Sequence, residues 1–232
     1  MLDAQRDAGR LEVALLFDLD GTLIDSVYQH VISWRQALEA IGVALPVWRI
    51  HRRIGMSGGL FVSALARETG IELTPEETAQ VLAHHDMAFE AQRSSLRPLP
   101  GSKELLETLG SLNIPWAIAT SGNRAAAQAA LDLLGQPDAV AICREQVRYA
   151  KPDPDLFLHA AEQLGVDVRN CLVVGDSIWD MLAARRAGAL GIGLLSGGYG
   201  RDELERAGAF RVYEEPRDLL AHLDELGIRR PT

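Results

Sequence analysis

The spacing of apolar residues divides the chain into two regimes. From residue 26 to residue 93 they recur only with helical period. Val27, Val31, Trp34, Leu38 and Ile41 share one face of a helix that Asp25 or Ser26 can cap and that Gly42 closes. Pro46 then starts a short basic helix over 47–54, with Arg49, Arg52 and Arg53. Gly55-Met56-Ser57-Gly58-Gly59 breaks the pattern, which resumes over 60–68. Thr74-Pro75-Glu76-Glu77 places a cap residue, a proline at the first helical position and a glutamate three residues after the threonine. The helix that follows is predicted to run to about Arg93.

Pro98-Leu99-Pro100-Gly101 marks a boundary, after which short apolar runs alternate with amphipathic stretches. Helices are predicted over 102–112, 124–134, 154–164, 178–187 and 216–226. Strands are predicted over 116–120, 139–143, 172–175, 191–195 and 210–212. Val13-Ala14-Leu15-Leu16, before the helical stretch, has the run of a strand buried on both faces. This alternation predicts an α/β fold, a doubly wound parallel sheet, with an all-helical insertion after its first strand. The expected division is a core of 1–24 and 99–232 and an inserted helical cap of 25–98.

Composition narrows the partners. The chain has 232 residues, 47% of them hydrophobic, and a formal net charge of −9. Such a balance argues against a nucleic-acid or anionic-membrane surface, but not against a small anionic substrate. Cys143 and Cys171 both lie in apolar strand-like runs, which fits a reducing compartment better than a disulfide framework. Residues 1–12 lack the apolar stretch of a signal peptide, and no later run is long enough to span a bilayer. A soluble, cytoplasmic protein, monomer or homodimer, is expected.

Candidate chemistry gathers where the predicted strands end. Phe17-Asp18-Leu19-Asp20-Gly21-Thr22 puts two carboxylates one residue apart at the carboxyl end of the first strand. Open α/β sheets hold their ligands there, and two anions so close call for a cation or a shared proton. A turn-forming Asp pair is the plainer reading; the ligand spacing and closing Glu of an EF-hand loop are missing. The second strand ends in Thr120-Ser121-Gly122-Asn123, whose hydroxyls and helix-entry amides suit phosphate oxygens; Thr120 could equally cap the helix. Lys151 sits in Lys151-Pro152-Asp153-Pro154, and only one other lysine, Lys103, occurs in the chain. Asp176 follows the fourth strand, as a carboxylate or a helix cap, and Asp180 lies one helical turn later. Together they offer carboxylates for Mg²⁺ and a hydroxyl, an ammonium and amides for a phosphoryl group.

In this order the motifs resemble those of the haloacid dehalogenase superfamily of phosphohydrolases. Asp18-Leu19-Asp20-Gly21-Thr22 is similar to its first motif, Thr120 to the second, Lys151 to the third and Gly175-Asp176-Ser177-Ile178-Trp179-Asp180 to the fourth. The inserted helical cap resembles that of phosphoglycolate phosphatases and β-phosphoglucomutases, on a Rossmann-like core. The resemblance implies that Asp18 attacks phosphorus and forms an aspartyl-phosphate, and that Asp20 acts as acid and then base. It implies Mg²⁺ held by Asp18, the Asp20 carbonyl and Asp176, with the substrate phosphate held by Thr120, Ser121 and Lys151 and supported by Asp180. The implied substrate is a small phosphorylated metabolite.

Asp20 counts against haloalkanoate dehalogenation, since the superfamily's dehalogenases lack that acid. Phosphonoacetaldehyde hydrolysis would need a cap lysine, and none lies between 25 and 98. A sugar-phosphate mutase keeps some support from His30 and Trp34, which fall where β-phosphoglucomutases carry similar residues. Against it, the cap loop reads Ser57-Gly58-Gly59, where those mutases carry an arginine. A phospho-accepting signalling module would share the site but be about half this length and uncapped. In the cap, His30, Gly58 and His85 are the candidates to meet the substrate, with His84 and His85 also readable as helix-surface residues.

Overall fold

A computed structural model describes residues 13–229; the N-terminal stretch 1–12 read above lies outside them. In chain order the elements are β1 (Ala14–Phe17), β2 (Ile24–Asp25), α1 (Val27–Ala40), α2 (Val47–His51), α3 (Gly58–Thr69) and α4 (Pro75–Glu90). Then come β3 (Arg97–Pro98), α5 (Ser102–Ser111), β4 (Trp116–Ala119), α6 (Arg124–Leu134), β5 (Ala141–Ile142) and α7 (Asp155–Leu164). The chain ends with β6 (Cys171–Gly175), α8 (Ile178–Ala187), β7 (Leu190–Leu194), α9 (Arg201–Ala207), β8 (Ala209–Tyr213) and α10 (Pro216–Ala221).

The main sheet has six parallel strands in the order β5-β4-β1-β6-β7-β8. Helices cover both faces, so the central strands are fully buried. Leu15, Phe17, Val174 and Ile192 face one apolar cluster; Ala14, Leu16, Val173 and Ala117 face the other. That alternation is the pleat of a strand buried on both sides. The six-stranded, doubly wound, Rossmann-like architecture agrees with the alternating pattern of the sequence.

β1 is the point where the strand order reverses, with β4 on one side and β6 on the other. Phe17 pairs with Ile118 of β4 and with Val174 of β6, so the three carboxyl ends lie level. The residues that leave them are therefore neighbours, as ligand sites at such reversals require.

Helices α1–α4 have their own apolar core, in which Trp34, Ile50, Phe61 and Val81 are buried together. Thr74 and Glu77 form the expected capping box on α4. The two connections to this helical unit pair with each other as an antiparallel ribbon, Ile24 with Pro98 and Asp25 with Arg97. Two-residue strands are too short to leave a period-2 signature, so neither was legible in the sequence. α9 also went unread, because Leu204 is its only buried residue. Among the described residues no helix is long and apolar enough to cross a membrane.

Candidate active site

The backbone turns sharply where β1 ends. Asp18 N–H still donates to Val174 O at 2.8 Å. Gly21 then adopts a φ of +80°, and a Cβ on it would meet an Asp176 carboxylate oxygen at 2.5 Å. Glycine is needed here for both the left-handed turn and the close approach. Thr22, next in the chain, is wholly buried and donates its hydroxyl to Asp176 Oδ1 at 3.0 Å.

Lys151 is 0% exposed, unlike the solvated position usual for a lysine. Its ammonium bonds the Asp18 carboxylate and lies 2.9 Å from Asp180 Oδ1. Asp180 is fully buried as well, and its other oxygen accepts from Ser177 N–H at 3.1 Å and from Ser177 Oγ at 2.5 Å. Ser177, not Asp176, is thus the cap of α8, which leaves the Asp176 carboxylate facing Asp18. Likewise Asn123 caps α6, and Thr120 instead accepts from Gly122 N–H at 3.0 Å.

Ligand oxygens of Asp18, Asp176 and Asp180 lie within 4.8 Å of one another. Three carboxylates share one ammonium, so two negative charges are uncompensated if all ionise. The titration behaviour follows from that crowding. Burial pushes the Asp18 carboxyl up to about 7; Lys151 opposes the rise, and Asp180 and Asp20 add to it. Asp176 is raised well above the carboxylate range by burial, then by Asp180 and Asp18. Burial alone would lower Lys151, but Asp18 and Asp180 outweigh it and hold it above its ordinary value. A divalent cation would balance this charge. Both Asp180 oxygens are already engaged, which leaves Asp18 and Asp176 as the carboxylates open to a metal.

Asp20 points away from this cluster. Its Oδ1 accepts from Ser26 Oγ at 2.6 Å and faces His30 Nε2 at 3.2 Å. Burial raises this carboxyl, but His30 and Ser26 outweigh burial and hold it below the ordinary range. Ser26 precedes α1, yet its hydroxyl makes no capping bond there, because Asp20 claims it. Asp18 and Asp20 therefore sit in contrasting surroundings, one crowded by anions, the other held by a histidine and a hydroxyl.

Asp18, Asp20, Thr120 and Ser121 open onto a cavity of about 520 Å³ between the sheet ends and the helical unit. His30, Trp34, Gly58 and His85 line its far wall. His85 is 8% exposed, so its helix-surface reading is corrected: α4 packs along α1 and turns this ring inward. Ser121 Oγ donates to Gly55 O of the helical unit at 3.1 Å.

Several contacts that hold the helical unit against the core were not read from the sequence. His51 Nε2 lies 2.8 Å from Gly197 O, Tyr199 Oη donates to Arg52 O at 2.8 Å, and Arg52 forms a fork with Glu203. These pairs lie about 150 residues apart in sequence and carry no local pattern. Gly197 itself lies against Asp176, in a loop tied down by Ser196 Oγ donating to Gly21 O at 2.6 Å. A Cβ at position 197 would overlap the Asp176 carboxylate. Gly197→Ala is therefore expected to cost ~1–3 kcal/mol of stability, as overpacked buried sites do, measured by urea unfolding. An unchanged midpoint would mean that the loop yields freely.

Residues 13–188 match the haloacid dehalogenase-like hydrolase family. The chain is 34% identical over 192 residues to a phosphoglycolate phosphatase of Neisseria meningitidis, covering 79% of this chain and 80% of that protein. It is 30% identical over 215 residues to an N-acetylmuramic acid 6-phosphate phosphatase of Pseudomonas aeruginosa, covering 91% and 94%. Among solved structures, a hydrolase from Pseudomonas syringae superposes with a TM-score of 0.90 at 53% identity, covering 92% of this chain and 98% of that one.

Proposed function

The chain belongs to the haloacid dehalogenase-like hydrolase family, and from that premise we propose that it is a phosphatase that passes the phosphoryl group of a small metabolite to Asp18 and then to water. The observation that carries this reading is buried Asp18 on the wall of a cavity that also exposes Asp20, with the buried ammonium of Lys151 bonded to Asp18.

An Asp18 carboxylate oxygen attacks phosphorus while the bond to the leaving oxygen breaks, which gives an aspartyl-phosphate. The hydrogen held between His30 Nε2 and Asp20 Oδ1 passes through Asp20 to that leaving oxygen. In the second half, Asp20 takes a proton from water, the water oxygen bonds to phosphorus, and the bond to Asp18 breaks. Inorganic phosphate leaves and both carboxyls return to their starting states. Lys151 and the Thr120 hydroxyl hold the transferring oxygens; Asp180 aims Lys151, and Ser121 lines the phosphate end. The carboxylates of Asp18 and Asp176 and the Asp20 carbonyl would hold Mg²⁺. That ion supplies positive charge that offsets repulsion between the nucleophile and the phosphate.

The leaving group would sit against His30, Trp34, Gly58 and His85. The relatives are named for phosphoglycolate and for N-acetylmuramic acid 6-phosphate, and a cavity of this volume has room for either scale. A mutase needs cations for a second phosphate, and among the described residues Arg144 is the only lysine or arginine lining the cavity, with Glu145 beside it. That favours hydrolysis over the mutase reading.

The test is phosphate release from a panel of phosphorylated metabolites with Mg²⁺, with Asp18→Asn as control. No release from any member would remove the proposal. A second expectation concerns the metal. Asp176→Ala should raise the Mg²⁺ concentration for half-activity by about tenfold or more, the scale of losing one of few carboxylate ligands. An unaltered Mg²⁺ titration would show that Asp176 holds no metal.

A further inference from the structure

The helical unit carries a row of hydrogen-bonding groups that ends on Asp20. His30 Nε2 faces Asp20 Oδ1 at 3.2 Å, His30 Nδ1 faces His85 Nε2 at 3.1 Å, and His85 Nδ1 faces Asp86 Oδ1 at 3.1 Å. Both rings are held by stacking. His30 lies on Phe89 with centroids 3.9 Å apart and planes 7° apart. His85 lies on Trp34 at 4.1 Å, and Trp34 lies on Phe61 at 4.0 Å. Neither imidazole can tilt out of the row without losing that packing.

The row has a direction. A carboxylate only accepts, so Asp86 requires the hydrogen of His85 on Nδ1. Burial lowers the basicity of His85 and keeps it neutral, so its Nε2 is an acceptor. His30 must then donate from Nδ1, and the hydrogen that joins its Nε2 to Asp20 Oδ1 at 3.2 Å is a second one, held between the ring and the carboxyl. The opposite arrangement would set a lone pair of His85 Nδ1 against the Asp86 carboxylate at 3.1 Å.

We propose that His85 and Asp86 are positioning residues for the phosphatase reaction: they fix which nitrogen of His30 bonds inward and so hold Asp20 in the orientation from which it serves the leaving oxygen. This rests on the phosphatase reading above. It adds two residues of α4 that touch neither phosphorus nor metal. Orienting groups one step removed from a reacting group act in this way elsewhere, through tautomer and ring angle.

Phenyl phosphate and p-nitrophenyl phosphate test it, because they have similar shapes while phenolate needs a proton on departure far more than nitrophenolate does. In Asp86→Ala, kcat for phenyl phosphate should fall about tenfold or more, within the range general-acid assistance supplies. For p-nitrophenyl phosphate it should fall much less, and KM should hold for both. Asp86→Asn, which keeps an accepting oxygen, should fall between. His85→Phe should repeat the ester-dependent loss of kcat seen in Asp86→Ala, with KM also changing because this ring lines the leaving-group wall, and His85→Gln should recover part of the kcat. Asp86 has 61% of its side chain exposed, so its variants are expected to fold even if those of His85 do not. Equal losses on both esters, a change confined to KM, or full phenyl phosphate turnover in Asp86→Ala would overturn the positioning role alone. A wild type that hydrolyses neither ester would overturn the phosphatase reading and this inference with it.

Discussion

Asp18→Asn is expected to lower kcat by at least about a thousandfold, the scale seen when a covalent nucleophile is removed, while leaving the protein as stable as before or more so. The two halves of this expectation have one cause. The carboxylate is the attacking group, and an amide of nearly the same shape does not attack phosphorus. The same carboxylate is one of three buried beside a single ammonium, which is why its titration is displaced to about 7. Removing its charge relieves repulsion from Asp176 and Asp180, and Lys151 keeps Asp180 at 2.9 Å. Urea unfolding at pH 8 with chelator should therefore show a midpoint at or above that of the wild type. Turnover near the wild-type level would sink the assignment of Asp18. A large loss of stability would mean that the ion pair with Lys151, rather than the crowding, dominates there.

What the sequence made legible is what has a local signature. α6 and α8 span 124–134 and 178–187 as the periodicity and their closing glycines predict. The residues after β1, β4 and β6 could be named because each follows a short buried run. Lys151 stood out through scarcity alone, though nothing local announced its burial. Contacts made by folding left no such trace. Ser26 reads as a helix cap, yet Asp20 takes its hydroxyl. Only Val81 and His85 of α4 are buried, so the inward face of that helix is too sparse to show as a stripe. Gly197 and Tyr199 fall in a loop after β7 whose importance depends on reaching Asp176 and Arg52. Asp86 follows a histidine on an exposed helix face, and its role exists only because α1 brings His30 beside α4.

Lys151→Met is expected to remove most activity and to make stability depend on pH in a way that separates charge from packing. The ammonium is fully buried between Asp18 and Asp180, so the variant loses a donor to the transferring oxygens, worth ~10²–10³ in kcat for a preorganised site. It also leaves the acids without their cation, and breaking a buried pair from one side typically costs ~3–5 kcal/mol. The sign follows from proton counting. Asp18 and Asp176 titrate above the ordinary carboxylate value when folded, so between pH 4 and about 7 the folded state binds more protons than the unfolded state. Stability of the metal-free wild type should therefore fall as pH rises through that window. Without Lys151 the force that opposes the rise of Asp18 is gone, and its folded titration moves higher still. The deficit of the variant should be small near pH 5, where folded Asp18 is protonated with or without the lysine, and grow to its full size at pH 8. Urea unfolding with chelator at the two pH values measures this, and Mg²⁺ added at pH 8 should return part of the stability without returning turnover. A deficit of the same size at both pH values would show that Lys151 is held by the packing of its alkyl chain, and that its charge does not govern the titration of Asp18.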